Sequence, residues 1–390
     1  MDRIARIARR AERIAPFEVM EVLAEAQRLE AAGADVIHLE VGEPDFPTPE
    51  PILEAAGRAL RAERMFYTPA LGLPQLREAI AGFYELRFGV SVPPERIVVT
   101  AGSSAALLLA LGLVLDVGDE ALVGDPGYPC NRHFVSFVDA EPVLVPTDAA
   151  TDYQVTAELL AAAWTPRTRA VIAASPSNPT GTLIARDEWV RIAALCEARG
   201  ATLVADEIYQ GLVYGRAPET VLSLTDGAVV VNSFSKYFQM TGWRLGWLVV
   251  PDGATREIEK LAQNLFICPS TIAQHAALAA FTPATLDILE ARRGELRGRR
   301  DVLLDALPSI GFRVRATPEG AFYVYSDVGD LTEDSFDFAR RVLDETAVAI
   351  TPGRDFGTAA PDRHVRIAYT QTVPRLGEAV DRIGRMLRPS

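Results

Sequence analysis

Between residues 97 and 250, short apolar runs alternate with longer stretches of helical periodicity, and this alternation limits the possible folds sharply. The runs fall at 97–100, 121–124, 142–145, 170–174, 202–205, 228–232 and 245–250. Each has the length of a strand rather than of a helix. Strands joined by helix-length connections pair in parallel and need cover on both faces. The expected architecture is therefore α/β, a mostly parallel seven-stranded sheet sandwiched by helices. From about residue 285 the pattern changes. A long charged helix over 286–307 leads into shorter strands at 312–315, 321–325 and 365–369, with helices near 334–345 and 374–388. This predicts a smaller α+β domain, with boundaries at 46–285 for the large domain and at 1–45 and 286–390 for the small one. With 390 residues and 49% apolar content, the chain can bury enough core for two domains.

Ligands of open α/β sheets bind at the carboxyl ends of the strands, and the chemically suggestive segments fall there. Ser233-Phe234-Ser235-Lys236 follows one run, with Arg244 eight residues later. A lysine there can form a Schiff base with an aldehyde, while the hydroxyls and the guanidinium can hold a phosphate. Ser175-Pro176-Ser177-Asn178-Pro179-Thr180-Gly181 is a loop that cannot continue strand or helix. Asp206-Glu207-Ile208-Tyr209 closes another run, and Thr100-Ala101-Gly102-Ser103-Ser104 opens an apolar helix whose free N–H groups suit a phosphate. Each segment also has a plain reading, as a surface loop, a turn or a helix cap.

Taken in order, these segments resemble the class I/II aminotransferase family, the fold-type-I enzymes that use pyridoxal phosphate. The resemblance begins at Val41-Gly42-Glu43-Pro44-Asp45-Phe46 and includes Tyr67-Thr68-Pro69-Ala70-Leu71-Gly72 and Asp125-Pro126-Gly127-Tyr128-Pro129. It runs on through Thr241-Gly242-Trp243-Arg244 to Val365-Arg366-Ile367-Ala368, nearly the whole chain. It implies that Lys236 carries the cofactor and serves as the proton-transfer base, and that Asp206 faces the pyridine nitrogen. Tyr209 and Asn178 would bond the phenolic oxygen, and Tyr128 would stack on the ring. Ser103, Ser104, Ser233, Ser235 and Arg244 would share the phosphate. Arg366 would take the substrate's alpha-carboxylate, helped by the backbone of Gly42. Tyr67 would reach the cofactor phosphate of a neighbouring subunit, making a homodimer part of the site.

One departure bears on substrate. Close bacterial aspartate aminotransferases are expected to carry a lysine where this chain has Ser104, and serine cannot pair with a side-chain carboxylate. The expected donor is a neutral aliphatic or aromatic L-amino acid and the acceptor a 2-oxo acid, in a ping-pong reaction. Arg132 and Phe17 are the further candidates near the substrate's side chain. A carbon–sulfur lyase, racemase, amino-acid oxidase or cyclising synthase would share fold and cofactor, so these remain rival reactions.

The net charge of −13 disfavours nucleic acid and anionic membrane as partners and suits a cytoplasmic enzyme. It also argues against a DNA-binding regulator built on the same domain. Cys130, Cys196 and Cys268 give neither a disulfide framework nor a metal spacing, and four scattered histidines give no metal site. Arg3, Arg6, Arg9, Arg10 and Arg13 lie at near-helical spacing. Asp2, Glu12 and the lack of serine favour a surface helix over a transit peptide.

Overall fold

All seven apolar runs are strands in the computed structural model, which describes residues 7–62 and 65–388. After a two-residue strand, β1 (Ile37–His38), they follow as β2 (Ile97–Thr100), β3 (Glu120–Asp125), β4 (Glu141–Pro146), β5 (Thr168–Ala174), β6 (Thr202–Asp206), β7 (Val229–Ser233) and β8 (Gly246–Val249). Their spatial order is β2-β8-β7-β6-β5-β3-β4. Only β8 runs against its neighbours β2 and β7. Successive side chains of a strand point to opposite faces, and here both faces are apolar. Val98, Ile172, Val204, Val231 and Leu248 enter one buried cluster, and Val99, Val171, Ala205, Val230 and Val249 enter the other. The helix Gly102–Val114, apolar on every side, is buried between the first face and the helix Thr255–Leu265.

The remaining strands are β9 (Arg313–Val314), β10 (Tyr323–Asp327), β11 (Val348–Ala349), β12 (Thr351–Pro352) and β13 (His364–Ala368). An antiparallel sheet has the order β12-β13-β10-β9, and β1 pairs in parallel with β11. The expected strand at 321–325 begins later because Ala321 takes a left-handed backbone (φ 57°), which no strand continues. Strands β1, β11 and β12 are too short to show any periodicity. The expected helices are found at Pro283–Ala306, Ser335–Thr346 and Val373–Leu387. The last buries Leu376, Ala379, Val380 and Ile383, a single helical stripe, and packs on the long Pro283–Ala306 helix.

Of the basic amino-terminal stretch, Arg3 and Arg6 lie outside the described residues, as does Asp2. Arg9–Arg13 is a short helix docked on the body, with Arg10 paired to Asp139 at 2.6 Å. Among the described residues no helix is long and apolar enough to cross a membrane, and no His/Cys/Asp/Glu cluster could hold a metal ion.

Candidate active site

The carboxyl ends of β2, β3, β5, β6 and β7 share one edge with the amino end of the reversed strand β8. Reversal of β8 is what brings Arg244, just before it, to the same edge as Lys236, just after β7. A cavity of about 250 Å³ opens there. Of the thirteen residues expected at the site, eleven line it: Gly42, Ser103, Ser104, Tyr128, Asn178, Asp206, Tyr209, Ser235, Lys236, Arg244 and Arg366. Ser233 lies one layer back, where its hydroxyl accepts from Ser235 N (3.0 Å) and faces the Leu245 carbonyl (3.4 Å). This geometry gives Ser233 the task of shaping the lysine loop rather than a place on the wall. Tyr67 is 80% exposed and does not line the cavity. Phe17 does line it, whereas Arg132 turns away to donate to the Asp355 carbonyl at 3.2 Å.

Lys236 Nζ donates to the Gly42 carbonyl at 2.6 Å and makes no ion pair with the described carboxylates. Burial disfavours its charged form and brings its pKa down to about 8; the charge of Glu43 opposes this, and those of Arg366 and Arg244 add to it. Of 39 basic residues only Lys236 and Lys260 are lysines, and Lys260 is exposed. A lysine in an arginine-dominated chain is a compositional signal that sequence reading passed over.

Asp206, at the end of β6, is buried and accepts from Ile208 N at 3.2 Å. Burial raises its carboxyl to about 6, with Ile208 N–H and the Lys236 charge pulling the other way. It caps the turn that follows it and also faces the cavity, so the structural and chemical readings of this residue coexist.

Arg366, on β13, is almost fully buried. Its guanidinium donates to Asn178 Oδ1 (2.9 Å), the Glu40 carbonyl and Thr351 Oγ1 (3.3 Å). Among the described residues its Nε has no partner and no carboxylate lies within ion-pair distance. A buried cation supplied only with neutral acceptors favours an incoming anion. Asn178 thus orients Arg366 besides facing the cavity.

Tyr323 is one of the lining residues that sequence reasoning missed, because an aromatic in a short strand reads as packing. Its hydroxyl bonds Tyr209 Oη at 2.8 Å, and its ring lies 4.4 Å from the Arg366 guanidinium carbon. A Cβ on Gly42 would come within 2.2 Å of the Tyr323 hydroxyl, so only glycine admits the tyrosine here.

Pyridoxal phosphate, implied by the sequence resemblance, fits these residues. A Cβ on Gly102 would sit 2.7 Å from Arg244 Nη2, and Gly102 has φ +83°. Glycine therefore lets the guanidinium lie against the start of the Gly102–Val114 helix, where Ser103 and Ser104 line the cavity beside free helix N–H groups that suit a phosphate. An amine with lowered pKa and a buried carboxylate stand in the same cavity, as an aldehyde and a ring nitrogen require.

Comparison with known proteins agrees with this chemistry. The family model described as "Aminotransferase class I and II" matches residues 34–383. The valine–pyruvate aminotransferase of Mycobacterium tuberculosis is 44% identical, over 98% of each chain. The crystal structure of an aminotransferase from the same organism superposes with a TM-score of 0.95 at 43% identity, covering 98% of this chain and 99% of that one. The aspartate aminotransferase of Thermus thermophilus with maleate gives 0.93 at 35% identity, covering 98% and 100%. With the lysine, aspartate and arginine gathered at one sheet edge and the match running through all of them, the chain belongs to the class I and II aminotransferase family and has its fold-type-I architecture.

Proposed function

We propose that this aminotransferase moves the amino group of a neutral aliphatic or aromatic L-amino acid to a 2-oxo acid, in two half-reactions that alternate in one cavity. The observation that carries the reading is the apolar and neutral part of the cavity wall. Phe17, Val19, Met20, Val41 and Leu107 are apolar, Ser104 is neutral, and the cations of the cavity are Lys236, Arg244 and Arg366. With those three committed to the amine, the phosphate and the alpha-carboxylate, no cation among the described residues lining the cavity remains for a second carboxylate. The 44% identity to a valine–pyruvate enzyme, against 35% to the Thermus aspartate enzyme, supports the same choice.

The family depends on pyridoxal phosphate, which when bound supplies the electron sink for the pair left at the substrate's alpha carbon. Arg366 takes the alpha-carboxylate and so fixes which way the alpha hydrogen points. The Lys236 amine, neutral in a larger fraction than an ordinary lysine, accepts that proton and later returns it. Asp206 would keep a cation placed opposite it protonated. Tyr209, held by Tyr323, and Asn178, held by Arg366, would supply hydrogen bonds to the cofactor, and Tyr128 would pack against it. Ser103, Ser104, Ser235 and Arg244 would hold the phosphate.

We read the chain as two domains, 46–285 and 1–45 with 286–390, so that Arg366 and Lys236 come from different ones. We also read it as a cytoplasmic homodimer. Tyr67 and Phe66 are strongly exposed next to the start of the Thr271–Ala277 helix, where Thr271 Oγ1 donates to the Phe66 carbonyl at 2.7 Å. Exposed Leu265 and Ile267 lie just before that helix, and such a concentration of apolar side chains suits a subunit interface. The test of the reaction is to add single L-amino acids without acceptor. One equivalent of oxo acid per site means transamination; sustained release of ammonia or a cleavage product means a lyase, oxidase or synthase.

A further inference from the structure

We propose that Asp355 is a positioning residue for donor specificity, seating the segment that carries Phe17, Val19 and Met20 over the substrate's side chain without touching the substrate itself. This rests on the reading that the donor's side chain lies under that segment.

The helix Glu18–Ala31 opens at the cavity, and its first N–H groups need an acceptor. Its cap residue, Phe17, has no side-chain oxygen to offer. The acceptor comes from 337 residues away: Glu18 N donates to Asp355 Oδ1 at 3.0 Å, and the Val19 N–H also favours the ionised carboxylate. Asp355 lies in the turn Gly353–Asp355, which follows β12. Its carbonyl accepts from Arg132, on the helix that starts directly after Tyr128. The next ring, Phe356, lies 4.8 Å from the Arg366 guanidinium carbon. Phe17 in turn meets the Tyr128 ring edge-on at 6.4 Å.

One turn is therefore tied to the side-chain roof, to the helix behind Tyr128 and to the carboxylate-binding arginine. The residue is also costly in a way a simple cap is not. It is a buried carboxylate whose second oxygen has no partner among the described residues. A neutral Asn or Ser would satisfy a helix end without that penalty. The negative charge matches the positive end of a 14-residue helix and the nearby Arg366.

The test compares the holoenzymes of wild type, Asp355→Ala and Asp355→Asn, with leucine and with alanine as donors and one common acceptor. Hydrogen exchange at the amides of residues 18–22 is followed in parallel. Asp355→Ala is expected to lose about tenfold more kcat/KM with leucine than with alanine, mainly in KM, and to exchange Glu18 and Val19 faster. Asp355→Asn, which keeps an acceptor oxygen, is expected to recover most of both. Equal loss with both donors, or unchanged exchange at Glu18 and Val19, overturns the proposal. Should the wild type react with neither donor, the substrate reading fails; the exchange measurement then decides for or against the Asp355 latch by the same criterion.

Discussion

Lys236 shows what burial does to a single functional group. An exposed lysine is almost wholly protonated at neutral pH and useless as a base. Desolvation brings Lys236 to about 8, so roughly a tenth of it is neutral at pH 7. Acylation of the cofactor-free protein tests this directly, because Lys260 is the sole other lysine. Modification of Lys236 should rise with pH and level off above about 8, while Lys260 keeps rising; parallel curves would contradict the assignment. Asp206 presents the opposite case. Its folded pKa, raised to about 6, means the native chain binds a proton there that the unfolded chain has lost above about pH 4. Stability from this group therefore falls as pH rises from 4 to 6 and stays low above that. Asp206→Asn should make the cofactor-free protein more stable at pH 8, by on the order of 1–3 kcal/mol, while severely weakening turnover. A thermal scan at pH 8 that finds the variant less stable would show the carboxylate to be structural.

At the level of elements, the seven runs were legible because all but the edge strand β4 are buried on both faces and so read as unbroken apolar sequence. Their motifs were legible because the chain places Gly, Ser, Asp and Lys where those runs end. Four things were not legible. The two-residue strands β1, β11 and β12 carry no period, the direction of β8 leaves no trace in composition, and Tyr323 looks like any buried aromatic. The long-range cap from Asp355 to Glu18 was equally hidden, since nothing local links the two residues. The start of the Gly102–Val114 helix yields a prediction on specificity. Ser104→Lys adds a cation to the cavity wall, and a charge-assisted pair is worth about 1.5–3 kcal/mol. The ratio of kcat/KM for aspartate over leucine should rise by roughly 10–100-fold. An unchanged ratio would mean that residue 104 does not face the donor's side chain.

For the whole molecule, the site is assembled from distant parts of the chain: Phe17 and Gly42 near one end, Lys236 in the middle and Arg366 near the other. Apolar exposure around Tyr67, Leu265 and Ile267 extends that logic to a second copy. The protein should elute at about twice its 42.3 kDa chain mass, and Ile267→Asp should weaken the dimer and lower activity together. A fully active monomer would rule out a shared site. The central claim concerns the neutral wall of the cavity, and it is tested most directly by steady-state competition between donors at one fixed acceptor. The account predicts that kcat/KM for valine, leucine or an aromatic amino acid exceeds that for aspartate and glutamate by about tenfold or more. Higher kcat/KM with aspartate or glutamate than with every neutral amino acid would contradict it.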